Sequence, residues 1–242
     1  RPLLNRAIAG VYPPASVFKL VTSGAGLEHG LLSVNKYYPH LCDGGYRFGN
    51  RYQKCWGVHG NLNVVNALRL SCDVYFYQAG LEIDMERINE FGRRFGLGEE
   101  VLGIDIPGER RGWLPDSASF NKRNKRSGWR WARGLILNLS IGQGQLVTPL
   151  QQAVLVGSLA TNAGVYKPHL MKELRDRSGK VIKKFEPEII RSGQMKESTH
   201  KVILAGLDSV VNHPGGTGKR GAVKGIRVGG KTGSGEWKKG EK

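Results

Sequence analysis

Ala9-Gly10-Val11-Tyr12-Pro13-Pro14-Ala15-Ser16-Val17-Phe18-Lys19-Leu20-Val21 is the stretch from which the rest of the chain is read. Two prolines precede apolar residues at helical spacing (Val17, Phe18, Leu20, Val21, Leu27), and Gly30 supplies a stop. The pattern predicts a helix from about 15 to 29. Ser16 falls in its first turn, among free backbone N–H groups at the positive end of the helix dipole. Lys19 follows three residues later on the same face. A serine hydroxyl is a poor nucleophile without a base, and a lysine buried near other cations has a lowered pKa and can be that base. The same serine also serves as a plain helix cap. Ser33-Val34-Asn35-Lys36 and Ser119-Phe120-Asn121-Lys122 share the S-x-x-K spacing. Ser33 follows the helix stop and Ser119 lies in a polar stretch, so context favours Ser16.

Working outward, Val64–Leu70 and Asp73–Glu82 read as helices, and Asp84 caps another that ends at Gly96. Residues 38–60, rich in Gly, Tyr and Cys, read as irregular loop, and 103–135 as a long surface excursion. Thr148-Pro149-Leu150-Gln151 is a helix start with a cap, a proline at the first helical position and a capping box; this helix reaches Asn162. Leu170–Asp176 and Lys180–Phe185 flank Arg177-Ser178-Gly179 as a hairpin. Lys196–Asn212 is helical, and Gly225–Lys231 reads as a strand. Helices early and strands late predict an α+β fold. Neither repeats nor a low-complexity linker interrupt the 242 residues, so one domain, 1–242, is the simplest reading.

Two further motifs stand in order after Ser16: Ser71-Cys72-Asp73 and Lys231-Thr232-Gly233-Ser234. A serine and an aspartate near a helix start ordinarily cap it. Lys231 ends the expected strand, and Gly233 removes a side chain where an extended peptide can lie along the edge. Lys231 can hold a substrate carboxylate. The three motifs in this order make coincidence a poor explanation.

Taken with Ser140-Ile141-Gly142-Gln143-Gly144-Gln145 and Ser71-Cys72-Asp73-Val74-Tyr75-Phe76-Tyr77, these motifs make the chain resemble the transpeptidase domain of class B penicillin-binding proteins, in particular their cell-elongation branch. Asp73 stands where most relatives carry Asn, as in that branch, and Ser234 keeps the hydroxyl of the commoner Thr. The resemblance implies the penicillin-binding fold, a helical subdomain plus an antiparallel sheet. It implies that Ser16 attacks the D-Ala-D-Ala carbonyl of a peptidoglycan stem peptide and that Lys19 takes its proton. Ser71 relays the proton to the departing D-alanine, and Asp73 orients the lysine and the substrate amide. Lys231, Thr232, Gly233 and Ser234 bind the terminal carboxylate, and backbone N–H groups of Ser16 and Ser234 form an oxyanion hole. β-Lactams then act as inhibitors, and no cofactor takes part in catalysis. The implied setting is the periplasmic side of a bacterial inner membrane, with a membrane glycosyltransferase and elongation-complex proteins as partners. A transmembrane helix, a pedestal domain, and the strands and terminal helix after the K-T-G motif are expected outside these 242 residues. A D,D-carboxypeptidase and a β-lactam sensor share the motifs. A β-lactamase needs a carboxylate to activate water, and Glu109, the nearest candidate, sits in sequence typical of a surface turn.

Composition limits the alternatives. Hydrophobic residues make up 39%, which argues against disorder, and no apolar run reaches the 18 residues of a membrane span. Lys plus Arg is 37 against 20 Asp plus Glu, a net +17, which favours anionic partners. The densest run, Lys122-Arg123-Asn124-Lys125-Arg126 with Trp129, Arg130, Trp131 and Arg133, is either a solvated loop or a nucleic-acid surface. No nucleic-acid motif accompanies it, and the catalytic set disfavours that partner. Cys42, Cys55, His59 and Cys72 form a tetrahedral ligand set for structural zinc, in spacing that matches no common zinc finger. A Cys42–Cys55 disulfide with Cys72 free, or Cys72 as a plain core residue, are the rival readings. Elongation-type relatives resemble the chain here too, and the likeness implies zinc at these four positions.

Overall fold

The structure, a computed structural model, describes residues 3–235. In chain order the helices are α1 (Arg6–Ala9), α2 (Lys19–Glu28), α3 (Val64–Leu70), α4 (Asp73–Ile83), α5 (Met85–Arg94), α6 (Ser117–Arg123), α7 (Leu135–Ser140), α8 (Pro149–Thr161) and α9 (Glu197–Asn212). The strands are β1 (Gly45–Phe48), β2 (Arg51–Lys54), β3 (Val165–Tyr166), β4 (Glu173–Arg175), β5 (Val181–Lys184) and β6 (Ile189–Arg191). They form three two-stranded antiparallel ribbons, β1–β2, β3–β6 and β4–β5. The class is α+β, as expected. Where the sequence offered one domain, the chain divides into two compact units.

The unit that carries all three motifs comprises Pro13–Phe91, Pro115–Gln145 and the described residues from Met195. At its centre is α2, preceded by a 3-10 turn at Ala15–Phe18. From Lys19 to Gly26 every residue of α2 is buried. Close packing requires its small residues: a Cβ on Gly24 would lie 2.2 Å from the Phe91 ring, and one on Gly26 would lie 2.6 Å from Leu32. The same device seats α4 on α7, through Gly80 and Ser140, and α9 on α3, through Gly206 and Leu68. Phe18, Leu20, Leu68, Phe76 and Ile83 are fully buried, each worth about 1.5–3 kcal/mol of transfer free energy. That core fixes the helix start bearing Ser16.

The other unit comprises the described residues up to Tyr12, Gly92–Leu114 and Leu146–Gln194. Here α8 begins as its sequence foretold. The Thr148 hydroxyl accepts from Gln151 N, the Gln151 side chain accepts from Thr148 N, and Pro149 occupies the first turn. Asn162, at φ 51°, closes it. Glu109 is spent on structure: its carboxylate accepts from the N–H groups of Leu102, Gly103 and Ile104, and so braces its own loop.

Three expectations need correction. Residues 38–60 are not all irregular, because Gly45–Lys54 folds into the β1–β2 ribbon. Its turn uses Gly49 at φ +59°, and Gly45 leaves room for Tyr52, whose ring would lie 2.2 Å from an added Cβ. The stretch 103–135 is not wholly a surface excursion. Leu114 and Pro115 are buried, and Asp116 starts α6 with a capping box to Ser119. Gly225–Lys231 forms no strand: apart from a Val223–Ile226 bridge, no strand runs alongside it among the described residues, so its backbone has no ladder to join.

Candidate active site

The 3-10 turn at Ala15–Phe18 presents Ser16 half-buried at the wall of a cleft of about 920 Å³. Ala15 just before it has φ +50°, a left-handed conformation that costs a non-glycine residue about 1–3 kcal/mol. The Ser140–Gln145 loop holds it there. The carbonyl of Gly142 accepts from Ala15 N at 3.0 Å, and a Cβ on Gly142 would sit 2.2 Å from the Ala15 carbonyl oxygen. Thr22 ties the same loop to α2 by donating to Ser140 O at 2.7 Å.

One helical turn past Ser16, the Lys19 ammonium is fully buried. It donates to the Asp73 carboxylate at 2.6 Å, to the Ser71 carbonyl at 2.8 Å and to the Ser71 hydroxyl at 3.2 Å. Ser71 ends α3 in a left-handed conformation, φ 51°. That turn brings its hydroxyl back between the two lysines: Lys231 Nζ lies 2.9 Å from the same Ser71 oxygen. The residue set read from the motifs therefore meets in space, with Ser71 bridging Lys19 and Lys231.

The Lys231 pKa is depressed. Burial, and then the nearby Lys19 charge, push it down to about 7, against a smaller opposing pull from Asp73. Burial pushes Asp73 up and the Lys19 contact pulls it back. Lys19 has a direct carboxylate partner, whereas Lys231 has the Ser71 and Thr232 hydroxyls and the Thr232 carbonyl but no carboxylate in contact, so burial of its charge is not offset by an ion pair.

Thr232 and Ser234 line the cleft with Ser16, Ser71 and Asp73. Gly233 lies against Val17, with room for nothing larger than a methyl at 3.2 Å. Asp73 is the sole carboxylate lining the cleft among the described residues. The other S-x-x-K pairs are occupied elsewhere. Ser119 completes the α6 capping box, and Lys36 pairs with Glu82.

Several cleft residues escaped the sequence reading, Thr217 and Trp56 among them. Thr217 exchanges a hydrogen bond with Thr232 at 2.9 Å and donates its N–H to Arg69 O at 3.3 Å. Trp56, mostly exposed on the cleft, donates its indole N–H to Leu70 O and Ser71 O, both at 3.1 Å. Neither sits in a recognisable spacing; Thr217 follows Pro214-Gly215-Gly216 and Trp56 follows Cys55, which are the only local cues.

Cys42, Cys55, His59 and Cys72 converge, with all four ligand atoms within 4.8 Å of one another. The three cysteines are free thiols, so the Cys42–Cys55 disulfide is not formed. Cys42 Sγ and Cys55 Sγ lie 3.4 and 3.5 Å from His59 Nδ1. A tetrahedral ion at 2.3 Å from sulfur and 2.0–2.1 Å from nitrogen separates such atoms by about 3.6 Å, so these two pairs have the spacing of a zinc site. Burial pushes the Cys42 thiol up, while a hydrogen bond from Cys72 favours the thiolate at Cys55. Cys55 Sγ also accepts from Asp73 N at 3.3 Å, which ties the cluster to the catalytic turn.

The chain belongs to the penicillin binding protein transpeptidase domain family, whose model matches residues 1–242. Among curated proteins it is 33% identical over 223 residues to the peptidoglycan D,D-transpeptidase MrdA of Escherichia coli K12, covering 89% of this chain and 34% of that protein. It is 30% identical over 244 residues to MrdA of Acinetobacter baumannii, covering 98% and 35% respectively. A solved complex of penicillin-binding protein 2 (PBP2) with MreC from Helicobacter pylori superposes with a TM-score of 0.79 at 32% identity, over 96% of this chain and 41% of that one. The chain thus spans about a third of the length of these curated relatives.

Proposed function

We propose that this chain is the catalytic domain of a peptidoglycan D,D-transpeptidase that works in cell elongation. The observation that carries the proposal is the Lys19–Ser71–Lys231 hydrogen-bonded array, whose Ser71 lines the same cleft as Ser16. Ser16 Oγ forms an ester with the penultimate D-alanine carbonyl, and the bond to the terminal D-alanine nitrogen breaks. Lys19, in its free-amine form, takes the proton from Ser16 and passes it through the Ser71 hydroxyl to the departing amine. Lys231, Thr232 and Ser234 hold the terminal carboxylate, Gly233 lets the peptide approach, and N–H groups of Ser16 and Ser234 stabilise the oxyanion. An amine of a second stem peptide then attacks the ester, frees Ser16 and makes the cross-link. β-Lactams present the same carboxylate and carbonyl and are held as a slow ester.

Transfer is favoured over hydrolysis because no carboxylate besides Asp73 lines the cleft among the described residues, and Asp73 is committed to Lys19. Cys42, Cys55, His59 and Cys72 would hold a structural zinc ion, which supplies rigidity and no catalytic chemistry. A periplasmic, membrane-anchored setting for the whole protein is part of the same reading, and the solved PBP2–MreC complex supports elongation-complex partners; among the described residues no helix is long and apolar enough to cross a membrane. Intact-mass analysis after exposure to a penicillin tests the reading. One adduct at Ser16 that persists for many minutes is expected, whereas release within seconds, or an adduct elsewhere, refutes it.

A further inference from the structure

Six of the twelve residues from 122 to 133 are Lys or Arg, and none is acidic. An unstructured tail would carry such a run without meaning, but this segment is built. Asp116 and Ser119 cap α6, Asn124 Nδ2 donates to Phe120 O, and the Trp131 N–H donates to Asn121 Oδ1 at 2.6 Å. Trp131 meets Phe120 edge-on at 5.7 Å. The fold thereby holds Lys122, Lys125, Arg126 and Arg130 outward, and among the described residues no carboxylate pairs with any of the four. Trp129 stands between them, 58% exposed.

The segment continues toward the cleft. Gly134, at its end, packs beside Phe48 of β1, with 3.6 Å between a built Cβ and the ring. The ribbon whose turn end Phe48 forms carries exposed Arg47, Arg51 and Lys54, with Arg47 over the face of Tyr52. Tyr52, Gln53 and Lys54 line the Ser16 cleft. A basic surface with exposed aromatic faces, on which Lys122, Lys125, Arg126 and Arg130 have no carboxylate partner among the described residues, therefore runs from residues 122–133 along a ribbon into the site.

We propose that this surface docks the acceptor strand of the transfer, a glycan bearing carboxylate-rich peptides, and delivers its amine to the Ser16 ester. The proposal rests on the transpeptidase reading above. The cations match the peptide carboxylates, and an exposed indole face packs on the C–H face of a sugar ring. A bilayer is flat and does not follow a ribbon into a cleft, which favours the polymer over a membrane.

The test uses the whole protein and two acceptors, labelled uncross-linked glycan strands and a free D-amino acid. The charge-neutral variant Lys125→Gln/Arg126→Gln/Arg130→Gln and, separately, Trp129→Ala should leave penicillin acylation and transfer to the D-amino acid within about twofold of wild type. For the strand acceptor, KM should rise about tenfold in the charge variant, and its salt dependence should flatten. Trp129→Ala should raise the strand KM at every salt concentration, and Trp129→Phe should restore it. An unchanged strand KM in both variants overturns the proposal, as does a loss confined to binding of anionic vesicles or DNA. Failure of wild-type Ser16 to be acylated would instead sink the transpeptidase reading itself. If the triple variant does not fold, the two Trp129 variants decide the matter alone.

Discussion

Replacing Lys231 by methionine should make the domain more stable while abolishing its acylation. The side chains are similar in length, and the exchange removes one buried charge. Burial and the Lys19 charge lower the Lys231 pKa from 10.5 to about 7. At about 1.4 kcal/mol per tenfold, that is a penalty of at most about 5 kcal/mol on the charged form, an upper bound because the half-buried ammonium keeps some water. Against this, methionine loses the hydrogen bond to Ser71 Oγ, worth about 1–1.5 kcal/mol, while Ser71 keeps Lys19 as a partner. A net gain of about 2–4 kcal/mol at pH 6 results. The sign of the pH dependence follows from proton counts. Between 7 and 10.5 the folded lysine binds fewer protons than the unfolded one, so wild-type stability rises with pH across that window. The penalty is complete below 7 and vanishes above 10.5. At pH 9 the excess stability of the variant should therefore fall to within about 1 kcal/mol of wild type. Urea unfolding at pH 6 and pH 9, with fluorescent-penicillin labelling in parallel, measures both quantities. A variant no more stable than wild type at pH 6, or a gap that does not narrow by pH 9, would refute the assignment of the desolvation cost to Lys231.

Ser16→Ala should eliminate penicillin labelling with an unchanged circular dichroism spectrum; labelling that moves to Ser33 or Ser119 counts against the site. Gly142→Ala should destabilise the domain by about 3 kcal/mol or more, read by urea unfolding, because its Cβ would meet the Ala15 carbonyl at 2.2 Å from a backbone at φ +82°. Protein purified without added metal should carry about one zinc per chain by elemental analysis, and chelation should slow acylation, since Cys72 lies between Ser71 and Asp73. Trp56→Phe keeps a ring beside His59 but removes both carbonyl contacts; it should slow acylation at least tenfold while costing no more than about 1.5 kcal/mol in unfolding.

Much of this centre was legible because its chemistry is tied to local spacing. Ser16 and Lys19 share one helical turn, and Thr148-Pro149-Leu150-Gln151 states its cap in four letters. The Cys/His cluster was visible as residue types, though spacing alone left a disulfide open; the structure decides against it by keeping three free thiols around one imidazole. What stayed hidden depends on partners distant in sequence. Thr217 acquires its place from Arg69 and Thr232, 148 and 15 residues away. The β1–β2 ribbon was masked by glycines that a composition reading counts toward loops, yet Gly45 is there to let Tyr52 cross. Gly225–Lys231 has the residues of a strand, but strand formation needs a neighbouring ladder as well as propensity.

The least legible feature is also the one on which the chemistry turns. Ala15 and Ser71, neither a glycine, are both held at positive φ, one immediately before Ser16, the proposed nucleophile, and one at the bridging hydroxyl. Nothing in an alanine or a serine announces that conformation, which local energetics oppose by about 1–3 kcal/mol each. Contacts from elsewhere impose it: Gly142 grips the Ala15 peptide from both its N–H and its carbonyl side, and Lys19 and Trp56 converge on the Ser71 carbonyl. Relaxing either turn would swing Ser16 out of the cleft or Ser71 away from the two lysines. The glycine motif at 140–145 and the tryptophan beside the cysteine cluster thus serve one purpose. They hold two unfavourable turns so that the serine, the bridging hydroxyl and the lysines meet before any substrate arrives, which is the preorganisation an acyl-transfer centre requires.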